Sequence, residues 1–135
     1  MVFIETRQLT TSRNGMHDVT GEILEVLKKS GIKNGIVTVE AEGPACGILK
    51  MEEAEGIAND LVKQTRDLVP ARVNFTCQAP PEETAGLLKS ALFGSSLSLI
   101  VRDGEPLFGG RILFAEYDGP RDRRYAVCAQ GKEEA

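Results

Sequence analysis

Strict alternation opens the chain. Val2, Ile4, Thr6 and Gln8 interleave with Phe3, Glu5, Arg7 and Leu9, a period of two that predicts a half-buried strand. Residues 12–15 carry turn chemistry, and residues 16–19 predict a short second strand. The period then lengthens. Ile23, Leu24, Val26 and Leu27 fall on one face of a helix. Thr20 is placed to cap its start, Lys28 and Lys29 suit the negative end of its dipole, and Gly31 marks its stop.

Alternation returns in residues 35–42, where Ile36, Thr38 and Glu40 oppose Val37, Val39 and Ala41. Gly43 and Pro44 break this strand, and a short extended piece is expected over 46–50. Residues 52–68 predict a second helix, with Ile57, Leu61 and Leu68 on one stripe. Residues 67–76 are expected to rejoin the sheet, and 77–81 read as a loop. Glu82 and Glu83 open a third helix at its positive end. Its core face reads as Leu87, Leu88, Ala91 and Leu92, and Gly94 stops it. Residues 97–102 predict a strand and 103–106 a turn. Residues 111–117 and 123–129 read as a hairpin joined by DGPRD, with 131–135 a frayed tail. Three helices among about seven strands give an α+β fold: a single domain over 1–135, its mixed or mainly antiparallel sheet flanked by the helices.

Composition narrows the function. Apolar residues at 41% and charged residues at 27% fit a globular domain. The net charge of -4 argues against a nucleic-acid binder. So does the stretch 102–124, where the five arginines are balanced by Asp103, Glu105, Glu116, Asp118 and Asp122. With one histidine and no tryptophan, a single chain cannot build a three-histidine metal site. No metal site and no cofactor is therefore expected. Cys46, Cys77 and Cys128 match no CxxC pattern and suit a reducing cytoplasm. The first residues show no basic segment followed by an apolar run, and no stretch is apolar enough to span a membrane.

The order of motifs carries a resemblance. Lys89-Ser90-Ala91-Leu92-Phe93-Gly94-Ser95-Ser96 precedes a strand and a DG turn. Glu116-Tyr117-Asp118-Gly119-Pro120-Arg121 then follows. Together these resemble the pattern "HxKxxLxGxS … GxLxLGTWQ … EFDGPR" of the YjbQ family, associated with a secondary thiamine-phosphate synthase activity. Residues 15–20 resemble the family's "GFHxVT", residues 34–37 its "xGLV", and residues 47–60 the stretch after its "HTTA". The resemblance implies the α+β fold, a homotrimer and a pocket that steadies a phosphorylated substrate. It places the family's histidines at Gly43, at Leu87 and near Thr76, and reduces "GTWQ" to Phe108-Gly109-Gly110-Arg111. It also implies that Gly43, Leu87 and Arg111 converge around one cavity. A divergent member with lost or much weakened activity is the reading this favours. An active enzyme with a rebuilt site and a non-catalytic trimeric module are the alternatives.

Glu52, Lys89, Ser90, Gly94, Glu116 and Arg121 match the family motifs. Lys89 can hold a phosphate as a point charge, and Arg111 can grip phosphate or carboxylate bidentately or pair with a nearby acid. Ser90 and Gly94 complete the ligand-binding candidates. The catalytic candidates are Glu52, His17 and Cys46. Each has a bland counterpart: a first-turn carboxylate, a strand-end imidazole bonded to backbone, and a buried inert thiol.

Overall fold

The computed structural model describes residues 1–133. In chain order the elements are β1 (Val2–Thr10), β2 (Gly15–Asp18), α1 (Thr20–Ser30), β3 (Asn34–Glu42), β4 (Cys46–Met51), α2 (Ile57–Leu68), α3 (Pro81–Phe93), β5 (Ser96–Arg102), β6 (Glu105–Pro106), β7 (Arg111–Glu116) and β8 (Asp122–Lys132). Five strands pair in the order β1-β8-β3-β5-β6, and three in the order β2-β7-β4. Every pairing is antiparallel. The α+β architecture follows the sequence expectation.

The inner positions of the larger sheet (Val37, Val39, Leu99, Val101, Tyr125, Val127) meet Ile48, Ile112 and Phe114 of the smaller one, with Val26 and Leu27 of α1 in the same core. Phe114 and Tyr125 touch across the two sheets, ring centroids 6.0 Å apart. The central strand of the small sheet, β7, is buried on both sides. Its alternate positions Ala115 and the following Tyr117 pack with Ala45, Met16, Leu49 and Phe93 in a second cluster, on the side where α3 lies.

Several sequence readings are corrected. The segments 111–117 and 123–129 are not a hairpin: β7 pairs with β2 and β4, while β8 pairs with β1 and β3. The DGPRD stretch carries the chain from one sheet to the other, through a cis peptide at Gly119–Pro120. Residues 69–80 form no strand, and α2 starts at Ile57 rather than at 52. The 131–135 tail is not wholly frayed, because Gly131 and Lys132 pair with Gly35 and Asn34; residues 134–135 lie outside the described residues. Thr20 is not a cap. Val19 holds that position, while the Thr20 hydroxyl accepts from Ile112 N at 2.8 Å and Asp18 Oδ1 accepts from Thr20 N.

The face of α3 is also reversed. Its buried positions are Thr84, Ala85, Gly86 and Lys89, whereas Leu87, Leu88 and Leu92 are exposed. Close approach explains this. A Cβ on Gly86 would stand 2.9 Å from the Ala45 Cβ and 3.2 Å from the Tyr117 carbonyl oxygen, so the helix presents its smallest residues to the sheet.

One ion pair closes the end of the core. Arg123 Nε and Nη2 donate to the two oxygens of Glu116 at 2.8 and 2.6 Å, joining β8 to β7. Both residues are buried. Thr11 Oγ1 donates to the same carboxylate at 2.5 Å, and Asp118 N donates at 3.0 Å. Burial alone would raise the Glu116 pKa, but the bonds from Arg123, Thr11 and Asp118 outweigh it and hold the carboxyl below its ordinary range.

Arg123→Met strands this carboxylate and is expected to cost about 3–5 kcal/mol in urea unfolding. Adding Glu116→Gln recovers most of that loss. Because the folded pKa of Glu116 is depressed, its contribution is present above the usual carboxylate range and lost as pH falls through the folded value. Glu116→Gln is therefore expected to flatten the acid limb of the stability profile, read as unfolding midpoint against pH.

Candidate functional site

The sequence candidates do not gather in one place. In the β4–β7 ladder, Cys46 lies opposite Glu116 and Met51 opposite Arg111. Five residue steps of about 3.4 Å separate these ends by about 17 Å. Gly43 stands beside the Cys46 end, so Gly43 and Arg111 do not share a cavity within one chain. Leu87 is exposed on α3.

Arg111 is held by two acids. It donates through Nη1 to Asp18 at 2.5 Å and through Nε to Glu53 at 2.8 Å. Glu52 is an exposed residue of the segment before α2, not a first-turn carboxylate of that helix. Nε2 of His17 lies 3.3 Å from Ser12 N, the backbone contact of its bland reading. Cys46 is fully buried, and its thiol donates to the Glu42 and Gly43 carbonyls, each at 3.4 Å. Burial pushes this thiol up, away from the thiolate. Ser90 donates to the Cys46 carbonyl at 2.7 Å, and Gly94 follows the end of α3, its N–H bonded to Ser90 O. The Ser90 bond fixes α3 against β4.

Lys89 is different. It is only 7% exposed. Its ammonium stands 5.7 Å from the centroid of the Tyr117 ring, and it forms no ion pair with any described carboxylate. Burial lowers its pKa, Arg66 adds to the lowering, and Glu82 opposes it. Tyr117 carries a buried hydroxyl with no hydrogen-bond partner. Lys89, Tyr117, Thr65, Arg66 and Glu82 line a cavity of about 390 Å³ between α2, α3 and the end of β7. Arg66 and Lys89 share these walls with the carboxylates of Asp67, Glu82 and Glu116, over the ring of Tyr117.

Thr65, Arg66, Glu82 and Tyr117 were not singled out from the sequence. The signal was the spacing 82, 85, 86, 89 and 93 on α3, which joins Glu82 and Lys89 to small residues and Phe93. Leucine content outweighed it. A larger cavity, about 500 Å³, lies between α1 and the 103–110 turns. Its walls include Ile23, Leu24, Leu27, Leu99 and Phe108, and it holds no buried polar group without a partner among the described residues.

The positions that match the family's histidines carry Gly43 and Leu87, with Thr76 near the third, none a strong donor. Among the described residues, no three His, Cys, Asp or Glu side chains cluster.

Comparison with known proteins gives a consistent answer. A family described as "UPF0047 protein YjbQ-like" matches residues 5–132. The UPF0047 protein MJ1081 of Methanocaldococcus jannaschii is 33% identical over 121 residues, covering 87% of this chain and 86% of that protein. The UPF0047 protein YugU of Bacillus subtilis is 30% identical, covering 95% and 99%. Among solved structures, a YbjQ-like protein of unknown function from Sulfolobus solfataricus P2 superposes with a TM-score of 0.91 at 23% identity, covering 98% and 99%. The hypothetical protein APE1520 of Aeropyrum pernix K1 gives 0.89 at 26% identity, covering 96% and 99%.

The lowered pKa of Lys89 means that the native state binds fewer protons than the unfolded chain between the folded value and about 10.4. Native stability carries the full cost of this buried cation below that window and recovers as pH rises through it. Lys89→Met is expected to raise the urea midpoint at pH 7, and the gap over the parent to narrow at pH 10.

Proposed function

This chain belongs to the YjbQ-like UPF0047 family, and on that premise we propose that it binds a small phosphorylated or carboxylated molecule in the cavity floored by Tyr117. The carrying observation is Lys89, a lysine only 7% exposed whose ammonium makes no ion pair with a described carboxylate. A lysine so covered by its neighbours is seldom without a counterion. Arg66, at the mouth, adds a second cation.

Weakened thiamine-phosphate-synthase-like activity in a cytoplasmic protein is the activity proposed. The family resemblance supports the chemistry, and the absence of imidazoles at positions 43 and 87 supports the weakening. Three free cysteines support the compartment. An enzyme rebuilt from Glu52, Arg111, His17 and Cys46 is less favoured, since Arg111 is engaged by two acids and the Cys46 thiol is buried.

A homotrimer is proposed as the assembly. Two apolar surfaces support it. On the outer face of the larger sheet, the row Val2–Gln130–Ile36–Ile100 lies beside the row Ile4–Cys128–Thr38–Ser98, and Val2, Ile4, Ile36 and Ile100 are exposed. On the other side, α3 exposes Leu87, Leu88 and Leu92. Two unlike patches on one chain suit a head-to-tail contact, which closes into a ring.

Calorimetry with inorganic phosphate and with thiamine phosphate tests the site. Binding is expected to weaken by about tenfold or more in Lys89→Gln, since a charge-assisted hydrogen bond contributes about 1.5–3 kcal/mol. No heat from either compound in the parent protein would sink the reading. Light scattering tests the assembly: a trimer mass is expected for the parent and a smaller species for Ile4→Lys, and a monomeric parent refutes it.

A further inference from the structure

We propose that Lys89 is a nucleophile, and that its Nζ forms a reversible imine with a small carbonyl compound bearing a carboxylate, which Arg66 holds at the mouth of the cavity. The inference rests on the reading of this cavity as an anion site and deepens it by naming the substrate class.

Three features of the geometry point this way. First, Lys89 lines the cavity with no carboxylate within ion-pair distance of its nitrogen, although Asp67, Glu82 and Glu116 line the same walls. A lysine meant only to hold structure would be paired. Second, two cations share the cavity. Arg66 keeps its charge at every working pH, while a lysine can shed its proton. Division of labour follows: the guanidinium takes the anionic end of the substrate and the amine takes the electrophile. Arg66 is free enough to do so, since its ion pair to Asp67 is long at 4.0 Å and both side chains are well exposed. Third, a lysine desolvated in a pocket and set near another cation is the arrangement that activates an amine. Burial lowers the Lys89 pKa; Glu82 opposes this, and Arg66 adds a smaller lowering.

The step balances without a further reagent. The neutral amine of Lys89 attacks the carbonyl carbon, and a carbon–nitrogen bond forms as the carbonyl π pair moves to oxygen. That oxygen takes a proton, and the nitrogen gives one up, leaving a carbinolamine. Loss of the hydroxyl as water, with the second amine proton, gives the imine. Glu82 lines the same cavity two turns before Lys89 on α3 and is the carboxyl placed to pass these protons. The cavity of about 390 Å³ has room for a compound of this size. The charged and titratable groups around the amine are Arg66 and Asp67 of α2, Glu82 of α3, and Glu116 and Tyr117 at the end of β7.

Glyoxylate is the probe, trapped with cyanoborohydride, which reduces an imine to a stable carboxymethyl-amine. Peptide mapping then compares Lys89 with Lys28, Lys29, Lys33, Lys50, Lys63 and Lys132 in the same protein. Lys89 is expected to be labelled several-fold faster than each of these near neutral pH, and its rate to level off at lower pH than theirs. Lys89→Arg is expected to lose the adduct at this position while the other lysines keep their slow labelling. Labelling spread evenly over the lysines, with phosphate binding intact, overturns the inference and leaves the anion site standing. Absence of both phosphate binding and a Lys89 adduct overturns the two together.

Discussion

At one end of the core the carboxylate of Glu116 and the guanidinium of Arg123 meet in a bidentate pair, and much of the molecule is positioned from there. β7 and β8 belong to different sheets, so the pair is a clamp between layers rather than a contact within one. Its remaining valences reach outward. Arg123 Nη2 also donates to the Ala45 carbonyl at 3.3 Å, and the same carbonyl accepts from Tyr117 N at 3.0 Å. The 43–46 turn is thereby pinned. The next carbonyl, that of Cys46, receives the Ser90 hydroxyl, and the Ala45 Cβ meets α3 at Gly86. Each contact passes position from the clamp to α3, and α3 sets where Lys89 stands. Desolvating two charges is expensive, and such a pair adds little net stability compared with an apolar substitute. What it supplies here is registry between two sheets and a helix.

Local pattern and tertiary placement part company at identifiable residues. α1 and β3 were legible because their periods are clean and one face is buried against one core: Ile23, Val26, Leu27, Val37 and Val39 all lie in it. The reading of 111–129 as a hairpin failed for a physical reason. Asp118, Gly119, Pro120 and Arg121 satisfy turn chemistry equally well whether the flanking strands pair or part. The decision comes from Glu116 and Arg123, whose partnership spans the layers and leaves no trace in periodicity. For α3, leucine content misled. The helix buries small residues because backbone proximity, not apolar area, governs its contact with β4, and its leucines face away. Family resemblance captured the fold while the chemistry of the individual motif positions had to wait for geometry.

The same clamp bears on the missing imidazoles. Gly43 occupies the position that matches the first histidine of "HTTA". Its φ is +94°, and a Cβ there would stand 3.0 Å from Arg123 Nη1. A side chain at 43 meets both a backbone conformation that L residues rarely adopt and the guanidinium that holds the sheets together. Loss of the histidine is thus written into the local backbone, and is not a simple exchange of one side chain for another. With that end of the ladder given over to structure, Lys89 is left as a largely covered lysine without an ion pair, on the wall of a cavity that Glu116 of the clamp also lines. An apolar residue at 89 would pack on Tyr117 at no desolvation cost. A lysine stands there instead, over an aromatic ring and beside a second cation, where a ligand carrying its own negative charge would find both.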